Sequence, residues 1–157
     1  MSTIQQKFMK AAILLAKQAK NEGEVPVGAV VVYDGKIIGR GRNKRNKQQI
    51  ATKHAEIIAI EGACKKLKSW RLENCELYVT LEPCSMCIGA CFNARIKQVY
   101  FGAFDSRGGA CGSVLNVSDV NQLNHNLNAV GGILKEECAK LLTDFFKERR
   151  ENLDKKT

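Results

Sequence analysis

The sequence predicts an α/β layer structure built on a mixed five-stranded sheet. Three observations carry this. An amphipathic helical pattern is followed by a β-hairpin signal. The rest of the chain then alternates helical and strand patterns. Short crossovers of that kind make parallel strands, so the hairpin predicts an antiparallel start and the later units a parallel continuation.

The elements follow in order. Over residues 3–21, Ile4, Phe8, Ala11, Ala12, Leu15 and Ala19 recur at three- and four-residue spacing, the signature of a helix with one apolar face. "VPVGAVVVY" (25–33) is rich in β-branched residues and reads as a buried strand. Asp34-Gly35 is a two-residue hairpin turn, and "KIIGRG" is the returning strand. "RNKRNKQQIATK" (42–53) is polar and basic and is expected to be a loop. A helix opens at His54 and runs through "AEIIAIEGACKKL", and "CELYVT" (75–80) is a strand. Pro83 suits the first position of a helix covering "CSMCIGACFNA". "KQVYFGA" (97–103) is the next strand, and Gly108, Gly109 and Gly112 mark a loop. A short strand at 127–133 and a helix at 134–150 complete the set, with 151–157 expected to be a disordered tail on a single domain spanning 1–157.

Composition narrows the class. At 157 residues, 45% hydrophobic and 26% charged, the chain can bury a core without disulfide staples. No apolar run approaches a bilayer crossing, and no signal-peptide pattern is visible, so a cytoplasmic protein without membrane association is expected. Seven cysteines, an odd count, then favour reduced thiols and metal ligation over a disulfide framework. The formal charge of +9 makes a polyanionic partner plausible. Seven Lys or Arg and no Asp or Glu lie between Lys36 and Ala55, beside the site described next.

The chemistry lies in His54-Ala55-Glu56 and, thirty residues on, Pro83-Cys84-Ser85-Met86-Cys87. Cys84 and Cys87 are i and i+3 in the first turn of a helix, where the dipole and free N–H groups favour thiolates. One imidazole and two thiolates suit zinc, and three protein ligands with an open fourth position describe a catalytic rather than a structural site. His54 and Glu56 are i and i+2, so both can serve one site only if it lies over the helix end. Glu56 would then stand near the metal without binding it, as a general acid/base. Cys91 lies a turn deeper and reads as core. Cys64, Cys75, Cys111 and Cys138 read as small apolar residues, and His125 as a surface or partly buried residue.

With these motifs, over about residues 8–150, the chain resembles the bacterial tRNA-specific adenosine deaminases of the cytidine deaminase superfamily. "EVPVGAVVV", "HAEI", "TLEPCSMC", "DSRGGACGS" and "LLTDFFKERR" carry the likeness. The resemblance implies a three-layer α/β/α cytidine-deaminase-like fold, a homodimer and one zinc ion per chain held by His54, Cys84 and Cys87. It implies conversion of adenosine to inosine at the wobble position of a tRNA anticodon stem-loop. In it, Glu56 shuttles protons while zinc-bound hydroxide attacks C6 of adenine. By position, Asn43 is a base-contacting residue, Val27, Ala55 and Pro83 belong to the substrate pocket, and Asp105, Arg107, Phe146 and Arg149 are tRNA contacts. Ile50-Ala51, Lys53 and Arg42 depart from the family's usual residues. A deaminase of a free base or nucleoside, of guanine or cytosine type, is the alternative.

Overall fold

The structure, a computed structural model, describes residues 2–155. The first helix, α1 (Thr3–Asn21), starts at a capping box in which the Gln5 amide donates to Ser2 Oγ and the Ser2 amide to Gln5 Oε1. Strands β1 (Gly28–Tyr33) and β2 (Lys36–Arg42) form the antiparallel hairpin. Asp34 and Gly35 take φ of 51° and 74°, the left-handed pair that such a turn demands. Helix α2 (Arg45–Gln48) follows, then α3 (Ala55–Leu67), β3 (Cys75–Leu81), α4 (Ser85–Ala94), β4 (Gln98–Ala103), β5 (Asn128–Val130) and α5 (Lys135–Lys155).

The sheet order is β2-β1-β3-β4-β5. β1 is antiparallel to both β2 and β3, and β3, β4 and β5 run parallel. Because β1 opposes β3, the start of β1 lies beside the end of β3, where the Gly28 amide donates to Thr80 Oγ1. One face of the sheet buries Val31, Leu77 and Val99 against Ala59 and Ala63 of α3 and Ile88 and Phe92 of α4. The other buries Val30, Val32 and Tyr78 against Phe8, Met9 and Ile13 of α1 and Cys138 of α5. Each fully buried aliphatic or aromatic side chain contributes ~1.5–3 kcal/mol. The three layers and mixed five-stranded sheet agree with the sequence reading.

Close approach sets where α3 begins. Gly39 and Gly41 alternate on the face of β2 that meets α3, and Cβ atoms built there would lie 2.2 Å from the Ala59 carbonyl oxygen and 2.1 Å from that of Ala55. Without side chains at these positions the helix lies directly on the strand backbone.

Several boundaries differ from expectation. The 42–53 segment contains the one-turn helix α2, whose first amides are met from far away in sequence: Asn46 and Lys47 N–H donate to the Glu24 carboxylate at 3.1 and 2.6 Å. Pro83 does not open α4. Cys84 is the N-cap in extended conformation, its carbonyl accepts from the Ile88 amide, and Pro83 stands one residue outside. β5 stops at Val130 because the chain turns at Gly131-Gly132, with φ of 97° at Gly132. Residues 151–155, expected as a tail, continue α5 to Lys155; the polar sequence "ENLDK" contains no helix breaker. Residues 156–157 lie outside the described part.

Candidate metal centre and adjoining grooves

His54 and Cys84 are the N-cap residues of α3 and α4, and Glu56 and Cys87 lie in the first turns. The two helix starts therefore meet over the sheet edge where β3 and β4 end, the position at which open α/β sheets hold ligands. The ligand atoms of His54, Cys84 and Cys87 lie within 4.8 Å of one another. His54 Nδ1 is 3.7 Å from Cys84 Sγ and 3.5 Å from Cys87 Sγ. A tetrahedral zinc with ordinary Zn–S and Zn–N bonds requires ~3.6 Å between sulfur and nitrogen. The donor set and its spacing thus fit zinc. Cys91 is wholly buried, its thiol pushed well above the usual range by desolvation, and it stands apart from the cluster.

Electrostatics support a charged cluster. The Cys84 thiol is lowered to about 4, first by the hydrogen bond from Cys87, against desolvation, and also by His54. The Cys87 thiol is raised, because it donates to Cys84 and is buried, and His54 is raised chiefly by its bond to Cys84. Metal ligation requires both thiols as thiolates and the imidazole neutral, so a dication held here would release protons from the cluster. Glu56 is 4% exposed, and desolvation pushes its carboxyl up to about 7.

A cavity of about 170 Å³ opens in front of the cluster, with Val27, Asn43, His54, Glu56 and Cys84 in its wall. Four carboxylates line it (Glu24, Glu56, Glu82 and Asp105), and Arg45 is the one Lys or Arg among the described lining residues. At this size it suits a single flat base rather than a whole nucleotide. Val25, Arg45, Leu81 and Asp105 also line an adjoining groove of about 700 Å³, which is flanked by Phe104, Arg107, Phe146 and Arg150.

The sequence-predicted residues divide accordingly. Val27, Asn43 and Asp105 reach the cavity, and Asp105, Arg107 and Phe146 the groove. Asn43 is already engaged: its Nδ2 donates to the Val25 carbonyl at 3.1 Å and its Oδ1 accepts the Ala55 amide at 2.9 Å. Ala55 and Pro83 are buried behind the wall, not in it. Arg149 faces a different cleft, between the end of α1 and α5 with Lys20 and Phe145, because successive helix positions differ by about a quarter-turn. Its neighbour Arg150 takes the place expected for it. Phe145 is buried and Phe146 is 41% exposed, as the paired phenylalanines suggested. His125 is half-buried against the Ile96 carbonyl and the Phe92 ring.

The basic segment is less free than its composition suggests. Arg42 and Lys47 both pair with Glu22, and Lys53 pairs with Glu61, so three of the seven cations of 36–55 are matched. Reading by sequence missed Glu24, Glu82 and Phe104, and placed Arg45 only within the basic run and Arg150 only beside Arg149. For Glu82, its place directly before Pro83-Cys84 was the available signal.

A model of the MafB19-like deaminases matches residues 3–150. The tRNA-specific adenosine deaminase of Bacillus subtilis (strain 168) is 49% identical over 143 residues, 91% of this chain and 89% of that protein. The protein of the same name from Haemophilus influenzae is 47% identical over 151 residues, 96% and 87% of the two chains. The chain belongs to the tRNA-specific adenosine deaminase family. A solved structure from work on A-to-I editing by tRNA deaminases at the wobble position superposes on this deaminase with TM-score 0.83 and 40% identity, covering 87% of this chain and 99% of that one. A guanine deaminase from Bacillus subtilis superposes with TM-score 0.62 and 43% identity over 66% of each chain. The motifs that carried the resemblance in sequence thus belong to the deaminase fold and to a three-residue group able to hold a metal ion. Among the described residues no helix is long and apolar enough to cross a membrane.

Proposed function

We propose that this deaminase converts adenosine to inosine at the wobble position of a tRNA anticodon in the cytoplasm, with one zinc ion held by His54, Cys84 and Cys87. The observation that carries the reading is the buried Glu56 carboxyl beside the three-ligand cluster, in a chain 49% identical to a tRNA-specific adenosine deaminase. The reaction adds water to adenine and expels ammonia. Zinc supplies Lewis acidity that brings the pKa of a water to about 7. Glu56 accepts a proton from the attacking water and delivers it to the ring nitrogen beside the amino-bearing carbon. It then assists protonation of the departing ammonia. A carboxyl pushed up to about 7 can both take and give a proton near neutral pH. The cavity admits the base after it leaves the stack, a step that an anticodon loop, already single-stranded, makes cheaper.

The groove fits the neighbouring nucleotides. Arg45, Arg107 and Arg150 supply cations for phosphates, and the exposed rings of Phe104 and Phe146 supply stacking faces. Asn43, held at both ends by the backbone, presents its remaining hydrogen-bonding capacity to the base. The likeness to a guanine deaminase favours a second reading, a free base as substrate.

One assay separates them: an adenosine-containing anticodon stem-loop and free purine bases are incubated in parallel, and inosine, xanthine and ammonia are measured. Turnover of free bases alone would select the second reading. Glu56→Gln should lose roughly 10²–10⁴-fold in rate while retaining its metal; inosine formation at the wild-type rate would remove Glu56 from the chemistry.

We also propose a homodimer through the apolar groove between α3 and α4, lined by Ile57, Ile60 and Ala90. Trp70 stands at its rim, 57% exposed, with the Arg71 and Arg95 guanidinium groups 4.7 and 5.7 Å from its ring. Tryptophan and arginine are the residues most enriched at interface centres. Light scattering on Trp70→Glu should report a monomer; an unchanged dimer would place the contact elsewhere.

A further inference from the structure

Glu82 stands two residues before Cys84, yet the proton transfers above do not use it. Its side chain is 2% exposed, and no Lys or Arg among the described residues forms an ion pair with it. The carboxylate is satisfied by one loop. Oε1 accepts the Asp105 amide at 3.0 Å and the Ser113 hydroxyl, and Oε2 accepts the Cys111 and Ser113 amides at 3.0 and 3.1 Å. The packing is equally specific, since a Cβ on Gly109 would lie 2.4–2.5 Å from the carboxyl group. Next to it, the Pro83 carbonyl accepts the Ala110 amide at 2.9 Å. Residues 105–113 are therefore wrapped around a buried anion that belongs to the strand-to-helix turn carrying the first thiolate.

That loop supplies Asp105 to the base cavity and Arg107 to the outer groove. Asp105 also closes the local turn, its Oδ1 accepting the amides of Arg107 and Gly108 at 3.0 and 3.2 Å. We propose that Glu82 is a positioning residue for the nucleic-acid substrate: its carboxylate fixes the 105–113 loop so that Asp105 and Arg107 meet the RNA. The substrate part of this rests on the tRNA reading above; the anchoring part does not.

Glu82→Gln tests it with no change of shape. A carboxamide has one acceptor oxygen, so its NH₂ must replace either Oε1 or Oε2. At Oε2 it would face two backbone amides. At Oε1 it faces one, the Asp105 amide, and the Ser113 hydroxyl can turn to accept from it. The tolerable orientation thus releases Asp105 selectively. Metal content should match wild type. KM for an anticodon stem-loop should rise roughly tenfold, the effect of one buried hydrogen bond left unmade, with kcat little changed. Trypsin should cut after Arg107, which is exposed, roughly tenfold faster than in wild type, as mass spectrometry of the fragments would show. Unchanged KM and unchanged cleavage would overturn the proposal, as would a fall in kcat at constant KM. If Glu82→Gln does not fold, Ser113→Ala decides: a smaller rise in KM at constant kcat supports the role, and an unchanged KM overturns it. A wild-type chain inert on the stem-loop would refute the tRNA reading instead, and cleavage at Arg107 would then decide the anchoring alone.

Discussion

Gly41→Ala tests how strictly β2 dictates the position of the metal ligands. The added Cβ would lie 2.1 Å from the Ala55 carbonyl oxygen and 2.7 Å from the Ala59 amide nitrogen, both backbone atoms of α3 that no rotamer change can move. The start of α3 must retreat by about 1 Å before that contact is tolerable, at the usual overpacking penalty of ~1–3 kcal/mol. For a chain of this size, that lowers Tm by roughly 2–12 °C. Ala55 lies between His54 and Glu56, so the displacement reaches the site directly, and a misplacement of about 1 Å there costs ~10²-fold in rate. Gly62→Ala is the matched control on the same helix. Its Cβ would meet only Gly39 Cα at 3.7 Å and the Arg40 amide nitrogen at 3.9 Å, both ordinary contacts. Removing a helix-interior glycine should stabilise by ~0.5–1 kcal/mol and raise Tm by a few degrees. Calorimetry on the metal-loaded proteins and kcat/KM on the stem-loop would read both effects. A Gly41→Ala protein that melts with wild type, or melts lower but keeps full activity, would refute the idea that this contact sets the site.

Other outcomes are expected. Chelation should lower Tm, by an amount equivalent to ~2.7 kcal/mol if free metal stood at a hundred times its Kd; metal content should stay at one ion per chain in Cys91→Ala and vanish in Cys84→Ala. Acid stability should depend on Glu82. Burial alone would raise its carboxyl, but the bonds from Ser113, Asp105 and Cys111 hold it below the ordinary value. A lowered folded pKa means stability present above the unfolded value of about 4.3 and lost as pH falls through the folded one, so Glu82→Gln should flatten the acid limb of a denaturation series. Arg150→Glu should weaken stem-loop binding and reduce the slope of log K against log salt, by about one for each phosphate no longer neutralised, more than Arg149→Glu does. Equal effects of the two arginine variants would mean that RNA also lies along the α1–α5 cleft.

Local patterns carried much of this molecule. The period of α1, the Asp34-Gly35 turn and the two helix starts holding His54 and Cys84 are all written within a few residues of where they act. Features made by distant pairing were not legible. Helix α2 has one turn and no buried residue, and the Glu24 that receives its first amides lies some twenty residues earlier. The role of Glu82 depends on three amides 23 to 31 positions later, and a carboxylate satisfied chiefly by backbone N–H groups, with the Ser113 hydroxyl as its one side-chain donor, leaves no charged partner to notice. Arg149 and Arg150 were a matter of helical phase, which a boundary error of one residue is enough to lose.

If tRNA is the substrate, the contrast between the inner cavity and the outer groove makes a two-chamber filter. On the tRNA reading, a neutral base enters a chamber whose wall holds four carboxyl groups and one arginine, and a phosphodiester chain rests in a groove flanked by three arginines and one carboxylate. A free mononucleotide should satisfy neither chamber well, because its phosphate lies only a ribose away from its base and would approach the carboxyl groups as the base goes in. A polymer bent at one nucleotide keeps its charges outside while committing a single base. On the tRNA reading, free mononucleotides should therefore be poorer substrates than the stem-loop, without any contact dedicated to recognising them.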